Sequence, residues 1–91
     1  MTEHELQGDL RAGDAEGLRS TLLAALEAGD VKIAADAVTS ADAAILQVLI
    51  SARRTAQAHK RSLTFDLSED APLAAFAARL ALSDALRPVA G

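Results

Sequence analysis

Alternation between two hydrophobic periodicities is the feature that most constrains the fold of this chain. Residues 31–35 and 62–67 carry apolar side chains at every second position, which is the pattern of a β-strand. Between them, residues 42–59 carry apolar side chains at the three- and four-residue spacing of a helix. Strands that alternate with helices pair in parallel through right-handed crossovers. The sequence therefore predicts an α/β fold.

A helix is also expected before the first of these strands, over residues 14–28, where leucines recur at helical spacing. Asp14 is the predicted N-cap, because a carboxylate can accept hydrogen bonds from the free N–H groups of the first turn. Gly29 is the predicted stop, since glycine commonly follows the last turn of a helix. Earlier in the chain, His4 and Leu6 fit a short edge strand.

The third helix is expected after residues 62–67. Ser68 or Asp70 can cap it, and Pro72 is compatible only with its first turn. Together these elements predict one domain over residues 1–91, with a small, open, largely parallel sheet of about four strands covered by three or four helices. The predicted buried stripe of the third helix consists of Leu73, Phe76, Ala77 and Leu80.

Composition argues against several classes of function. The apolar fraction is 51% but the aromatic fraction only 2%, so the core must consist of aliphatic and alanine side chains, packed too closely for a deep ligand cavity. The net charge of −4 and the scattered basic residues argue against nucleic-acid binding. The lack of cysteine removes disulfides and thiolate metal sites and permits a reducing compartment. The longest apolar run, residues 43–50, is too short to span a bilayer, and we expect no secretory signal.

Residues that carry chemistry are too dispersed to predict an active site. No glycine-rich stretch has the spacing of a phosphate-binding loop. His4 and His59 lie on separate elements, without cysteine or a close pair of carboxylates, so no metal is expected. The serines have no histidine nearby in sequence to activate them. We therefore expect no catalysis and no cofactor, and instead a role in binding or regulation.

A resemblance to a known family covers residues 31–68, which read VKIAADAVTSADAAILQVLISARRTAQAHKRSLTFDLS. This stretch resembles the core of the STAS domain, the domain of sulfate transporters and anti-sigma factor antagonists. That family has a strand, a polar segment with an aspartate, a long helix, a second strand, a serine and a last amphipathic helix. The ELQGDL segment near the start resembles the family's first strand. The positions that match the family's pattern are Val38, Asp42, Leu46, Leu49, Ser68 and Leu73.

Two departures from the family's pattern bear on regulation. The family's aspartate is commonly followed by serine or threonine, and in anti-sigma factor antagonists a partner kinase phosphorylates that hydroxyl. Here the position is Ala43, so the resemblance implies a surface fixed in its unmodified state. Thr39 and Ser40 are the weaker alternatives for phosphorylation. The second departure is Asp36, an acidic residue displaced by two positions from the family's pattern.

The polar segment before the long helix has two interpretations, and the sequence leaves both open. Asp42, or Ser40 in its place, can simply cap the helix, where a carboxylate gains about 0.3–1 kcal/mol from the helix dipole. Alternatively, Thr39 to Ala43 form an exposed docking loop at the carboxyl end of a strand, where open α/β sheets tend to place their sites. Gln47, one and a half turns into the helix, is either an exposed helix former or a contact to the same partner.

The resemblance implies a non-catalytic, cytoplasmic, bacterial regulatory protein that docks on a histidine-kinase-like partner, either a chemotaxis kinase or an anti-sigma-factor-like kinase. The alternative is a small auxiliary subunit that binds the ATPase of a lipid-transport ABC complex. Neither interpretation involves nucleic acid, a metal or insertion into a membrane. The predicted partner-binding residues are Thr39, Ser40, Asp42, Ala43 and Gln47.

Overall fold

A three-stranded parallel sheet organises residues 2–90, the part of the chain that the computed structural model describes. The strands lie in chain order, and both neighbouring pairs are parallel. The predicted α/β class and parallel sheet are confirmed, with three strands in place of about four. The elements are β1 (Thr2–Leu10), α1 (Ala12–Ala28), β2 (Val31–Ala41), α2 (Ala43–Ala58), β3 (Leu63–Asp66), α3 (Pro72–Arg79) and a 3-10 helix (Ser83–Leu86).

The central strand, β2, is longer than the sequence predicts. It continues past residue 35 to Ala41, because β1 pairs with it as far as its last residue. The edge strand expected around His4 and Leu6 is confirmed and is itself extended to nine residues. β2 has eleven residues and β1 has nine. The two extra residues of β2 are accommodated at two register shifts between the strands. The second shift follows Gly8, whose φ of 78° lies in the left-handed region that favours glycine.

One face of the sheet is buried in the hydrophobic core. Residues that lie opposite each other in parallel strands share a face, and Val31, Ile33 and Leu63 are fully buried on this one. On the other face, Lys32 and its neighbour Thr64 are only half-buried. α1 packs against α2 and also contacts β1 and β2. α2 follows β2 after a single residue, so its first turn lies at the carboxyl end of the sheet. The largest fully buried side chains are Leu22, Leu26, Ile33, Ile45, Leu46, Leu49, Leu63, Leu73, Val31 and Val38.

The boundaries of the first two helices are close to those expected. α2 matches the predicted range to within one residue at each end. α1 begins two residues earlier than predicted, with Arg11 and not Asp14 as its N-cap. Asp14 lies in the first turn, where its carboxylate accepts a hydrogen bond of 2.9 Å from the Arg11 N–H. Gly29 ends α1 as predicted, and its N–H donates to the Ala25 carbonyl at 3.1 Å.

The start of α3 differs from the prediction. Neither Ser68 nor Asp70 caps the helix; the N-cap is Ala71, which makes no side-chain hydrogen bond to it. Pro72 occupies the first turn as expected, where its lack of an N–H leaves no helical hydrogen bond unmade. The hydroxyl of Ser68 is engaged elsewhere, by Asp36 on β2.

The predicted buried stripe of α3 is confirmed for Leu73 and Ala77, which are fully packed in the core. Phe76 is half-buried at the edge of the core. The predicted burial of Leu80 is wrong, because 41% of this residue is exposed. The reason is that α3 ends one residue earlier and the chain turns away at Ala81, whose φ is 56°.

Candidate functional site

The predicted partner-binding residues lie where β2 ends and α2 begins. In the sheet, Asp9 of β1 is opposite Ser40, and the N–H of Asp42 donates to the Leu10 carbonyl at 3.2 Å. Because of this pairing, Thr39 and Ser40 belong to the strand, and the predicted loop over residues 39–43 is wrong in its secondary structure. The chain passes directly from strand to helix through Asp42 alone.

Asp42 is the N-cap of α2. Its side chain accepts a hydrogen bond of 3.3 Å from the N–H of Ile45, and its carbonyl accepts one of 3.1 Å from the same N–H. The capping interpretation of Asp42 is confirmed, and Ser40 has no part in it. A carboxylate at this position also interacts favourably with the partial positive charge at the start of the helix.

Asp42→Ala is expected to lower the free energy of unfolding by about 1 kcal/mol, because it removes the acceptor at the start of α2. Asp42→Asn is the matched control, since asparagine caps about as well as aspartate. Urea denaturation of the three proteins measures the difference. Equal stability of Asp42→Ala and the unmodified protein would show that the cap contributes nothing.

The same junction presents an exposed surface. Thr39, Ser40 and Ala43 are exposed, and Asp42 is half-buried because its carboxylate turns toward the helix. Gln47 is also exposed, one turn after Ala43 on the same side of α2. The five predicted residues thus lie at the end of β2 and in the first two turns of α2, and we call them the β2–α2 edge (Thr39, Ser40, Asp42, Ala43 and Gln47).

A groove next to the β2–α2 edge was not anticipated from the sequence. It is an open cavity of about 460 Å³ between the end of β2 and one side of α3. The guanidinium carbon of Arg79 lies 5.8 Å from the centroid of the Phe76 ring, within range of a cation–π interaction. The spacing of Pro72, Phe76 and Arg79 along one helix side is the signal that the sequence offers, but the helical period predicts that Phe76 is buried in the core. The groove is lined by Thr39, Ser40, Ala41, Pro72, Ala75, Phe76 and Arg79.

Asp36 ties the segment before α3 to β2. Its carboxylate accepts hydrogen bonds from the Ser68 N–H at 2.6 Å and from the Ser68 hydroxyl at 3.2 Å. The two residues are 32 positions apart in sequence. The displaced acidic residue therefore helps to position α3 beside β2, and with it one wall of the groove.

The described part of the chain, residues 2–90, has neither a cluster of side chains suited to a metal ion nor a membrane-spanning helix. Within that range, no three side chains of the metal-binding types lie close enough together to hold an ion. His4 lies on β1, and His59 is the C-cap of α2. Over the same residues, no helix has both the length and the hydropathy required to cross a bilayer.

A comparison with protein families matches nearly the whole chain. The family model described as "Mlab, STAS domain" covers residues 4–88, from β1 to beyond the 3-10 helix. The match includes the β2–α2 edge and both walls of the groove, and it confirms the resemblance inferred from residues 31–68. A comparison with curated proteins returns no match.

Proposed function

Since this chain belongs to the STAS domain family, we propose that it is a non-catalytic, cytoplasmic protein that binds one protein partner through the β2–α2 edge. Domains of this family generally act through protein–protein contacts. The exposure of Thr39, Ser40 and Ala43 beside one another is the observation that carries the proposal. They lie at the carboxyl end of parallel strands, where open α/β sheets tend to place their sites.

The β2–α2 edge is suited to contact because its side chains are small and mostly polar and its backbone belongs to β2 and α2. Ser40 is held by its pairing with Asp9 of β1, and Ala43 by the capped first turn of α2. Thr39 lies between the paired residues Val38 and Ser40, at a register shift. A surface that is already ordered loses little conformational entropy when a partner binds. The side chains at its centre are short, so a partner can approach the backbone closely.

Ala43 makes the edge a constitutive surface. In the family, a phosphate at this position adds about −1.5 to −2 charge and releases the partner. Alanine has no hydroxyl, so the site cannot accept the phosphate. We propose that binding is set by the amounts of the two proteins and not by phosphorylation.

The proposed partner is a histidine-kinase-like protein, either a chemotaxis kinase or an anti-sigma-factor-like kinase. The second candidate is the ATPase of a lipid-transport ABC complex, on which the chain would act as an auxiliary subunit. Ala43 favours the second candidate, because an assembly subunit has no need of a phosphorylation switch. In both cases the β2–α2 edge supplies the contact.

Purification of the tagged chain from native extract, followed by mass spectrometry, separates the candidates. Recovery of a kinase-like protein in stoichiometric amount supports the kinase as the partner. Recovery of an ABC ATPase in stoichiometric amount supports the role as an auxiliary subunit. A chain recovered with no stoichiometric protein under mild conditions would contradict the docking role.

The proposal that phosphorylation does not control binding at the β2–α2 edge has a separate test. After incubation with ATP and native extract, the intact mass of the chain should be unchanged. Ala43→Ser is the matched variant, since it restores the family's hydroxyl, and it should gain one phosphate if the extract contains the cognate kinase. A phosphate on Thr39 or Ser40 of the unmodified chain would overturn the constitutive state.

A further inference from the structure

β2 has an unpaired edge beside the groove. β3 pairs with β2 only from Val31 to Ala34, whereas β1 pairs with it up to Ala41. Within residues 2–90, no strand pairs with residues 35–41 on the side away from β1. Backbone N–H and C=O groups on a strand edge are strong hydrogen-bonding groups that can bond another strand where it can reach them. Here that part is residues 39–41, which line the groove, whereas Ala35 and Val38 are fully buried.

α3 lies along this part of β2 and supplies the second wall of the groove. Its contribution is apolar at Pro72, Ala75 and Phe76, and it carries one charge, at Arg79. The opposite wall is formed by residues 39–41 at the end of β2. The groove therefore has a backbone edge on one side and an apolar surface with a single cation on the other.

Arg79 is available to an incoming group. Among residues 2–90 it forms no ion pair and no hydrogen bond, and it is exposed. Its guanidinium lies over the Phe76 ring at the mouth of the groove, so its position is already restricted. A guanidinium presents several N–H donors in a fixed plane, which suits a carboxylate.

We propose that the groove binds an extended, acidic segment of the protein partner, which adds to the unpaired edge of β2 as a further strand. Backbone hydrogen bonds to residues 39–41, the part of β2 that lines the groove, hold the segment, an apolar side chain rests on Phe76, and a carboxylate pairs with Arg79. An extended segment satisfies the strand edge, which a helix cannot do. Among the described residues, Arg79 is the one charged residue that lines the groove, and it selects an acidic segment over a basic one.

This inference rests on the proposed docking role and extends it from the β2–α2 edge to α3. Thr39 and Ser40 belong to both surfaces, so a single partner can occupy both at once. The partner would then contact the chain with a folded surface at Ala43 and with an extended segment at Arg79.

The test uses the full chain labelled with ¹⁵N and three blocked peptides of about eight residues, a length typical of a strand. The first alternates valine with aspartate, the second has lysine in place of aspartate, and the third is the first with alternate backbone nitrogens methylated. The acidic peptide should shift the amide resonances of residues 39–41 and 76–79. The basic and methylated peptides should bind at least about tenfold more weakly, because they lack the carboxylates and the strand donors, respectively.

Arg79→Glu should weaken binding of the acidic peptide at least about tenfold. Arg54→Glu is the matched control and should leave this binding unchanged, since Arg54 is an exposed arginine on α2 that does not line the groove. No binding of the acidic peptide, equal binding of the basic or methylated peptide, or shifts confined to other residues would each overturn the inference. If Ala43→Glu abolishes capture of the native partner but Arg79→Glu leaves it unchanged, the groove proposal fails and the docking role stands. If neither variant affects capture, the docking role fails as well.

Discussion

Ala43→Glu is expected to weaken binding of the native partner by at least about tenfold without destabilising the chain. Ala43 is exposed in the first turn of α2, so a glutamate there fits without a steric clash in the isolated protein. A carboxylate at the start of a helix is stabilised by about 0.3–1 kcal/mol, so the free energy of unfolding should be unchanged or slightly higher. In the complex, however, the same charge is desolvated without a partner, which costs several kcal/mol.

Gln57→Glu is the matched control, because it introduces the same charge at an exposed position near the other end of α2. Titration of the purified partner against the three proteins gives the affinities, and urea denaturation gives the stabilities. Asp42 is less suitable for this purpose, since changes there also remove the helix cap. Equal affinity of Ala43→Glu and Gln57→Glu would place the contact elsewhere on the chain.

Leu49→Ala is expected to lower the free energy of unfolding by about 2–5 kcal/mol. Leu49 is fully buried in the middle of α2, and its truncation removes apolar contacts and leaves a cavity that the neighbouring residues can fill only in part. A domain of this size has a total stability of about 5–15 kcal/mol, so a large share of it would be lost. The midpoint of urea denaturation measures the change.

Leu80→Ala makes the same chemical change at a position that is 41% exposed, directly after α3. It should alter the free energy of unfolding by no more than about 0.5 kcal/mol. If the two variants lost similar stability, the distinction between a buried α2 and a partly exposed end of α3 would be wrong.

The elements that could be predicted are those whose signal is local. α2 has a strong helical period and a capping aspartate, and its bounds were found to within one residue. α1 is predictable for the same reason, although Asp14 lies in its first turn and Arg11 is the N-cap. The STAS resemblance likewise depends on the order of such local patterns, and the family match over residues 4–88 confirms it.

The second half of β2 could not be read from its own residues. Asp36 and Ala37 interrupt the alternation, and Thr39 and Ser40 have the composition of a loop. The segment forms a strand because β1, some thirty positions away in the chain, pairs with Ala37, Val38, Ser40 and Ala41, while Asp36 and Thr39 fall at the register shifts. Pairing between distant segments overrides local propensity, which is why a predicted loop became the end of a strand.

The candidate site was predictable in its residues but not in its surroundings. The β2–α2 edge follows from the position of Asp42 at the start of α2, which a sequence pattern can locate. The groove depends on how α3 lies beside β2, which involves the burial of Leu73 and Ala77 and the hydrogen bonds from Ser68 to Asp36 across 32 positions. Phe76 was assigned to the core because periodicity does not distinguish a half-buried groove residue from a buried one.

Site-specific photo-crosslinking in native cells tests most directly whether the β2–α2 edge is the docking surface. A photoreactive residue at position 39 should form a covalent adduct with a single protein, and one at position 57 should not, although Thr39 and Gln57 are both exposed. Ala43→Glu in the same chain should remove the adduct at position 39. An adduct of equal yield at position 57, or none at position 39 when the partner is present, would contradict the account.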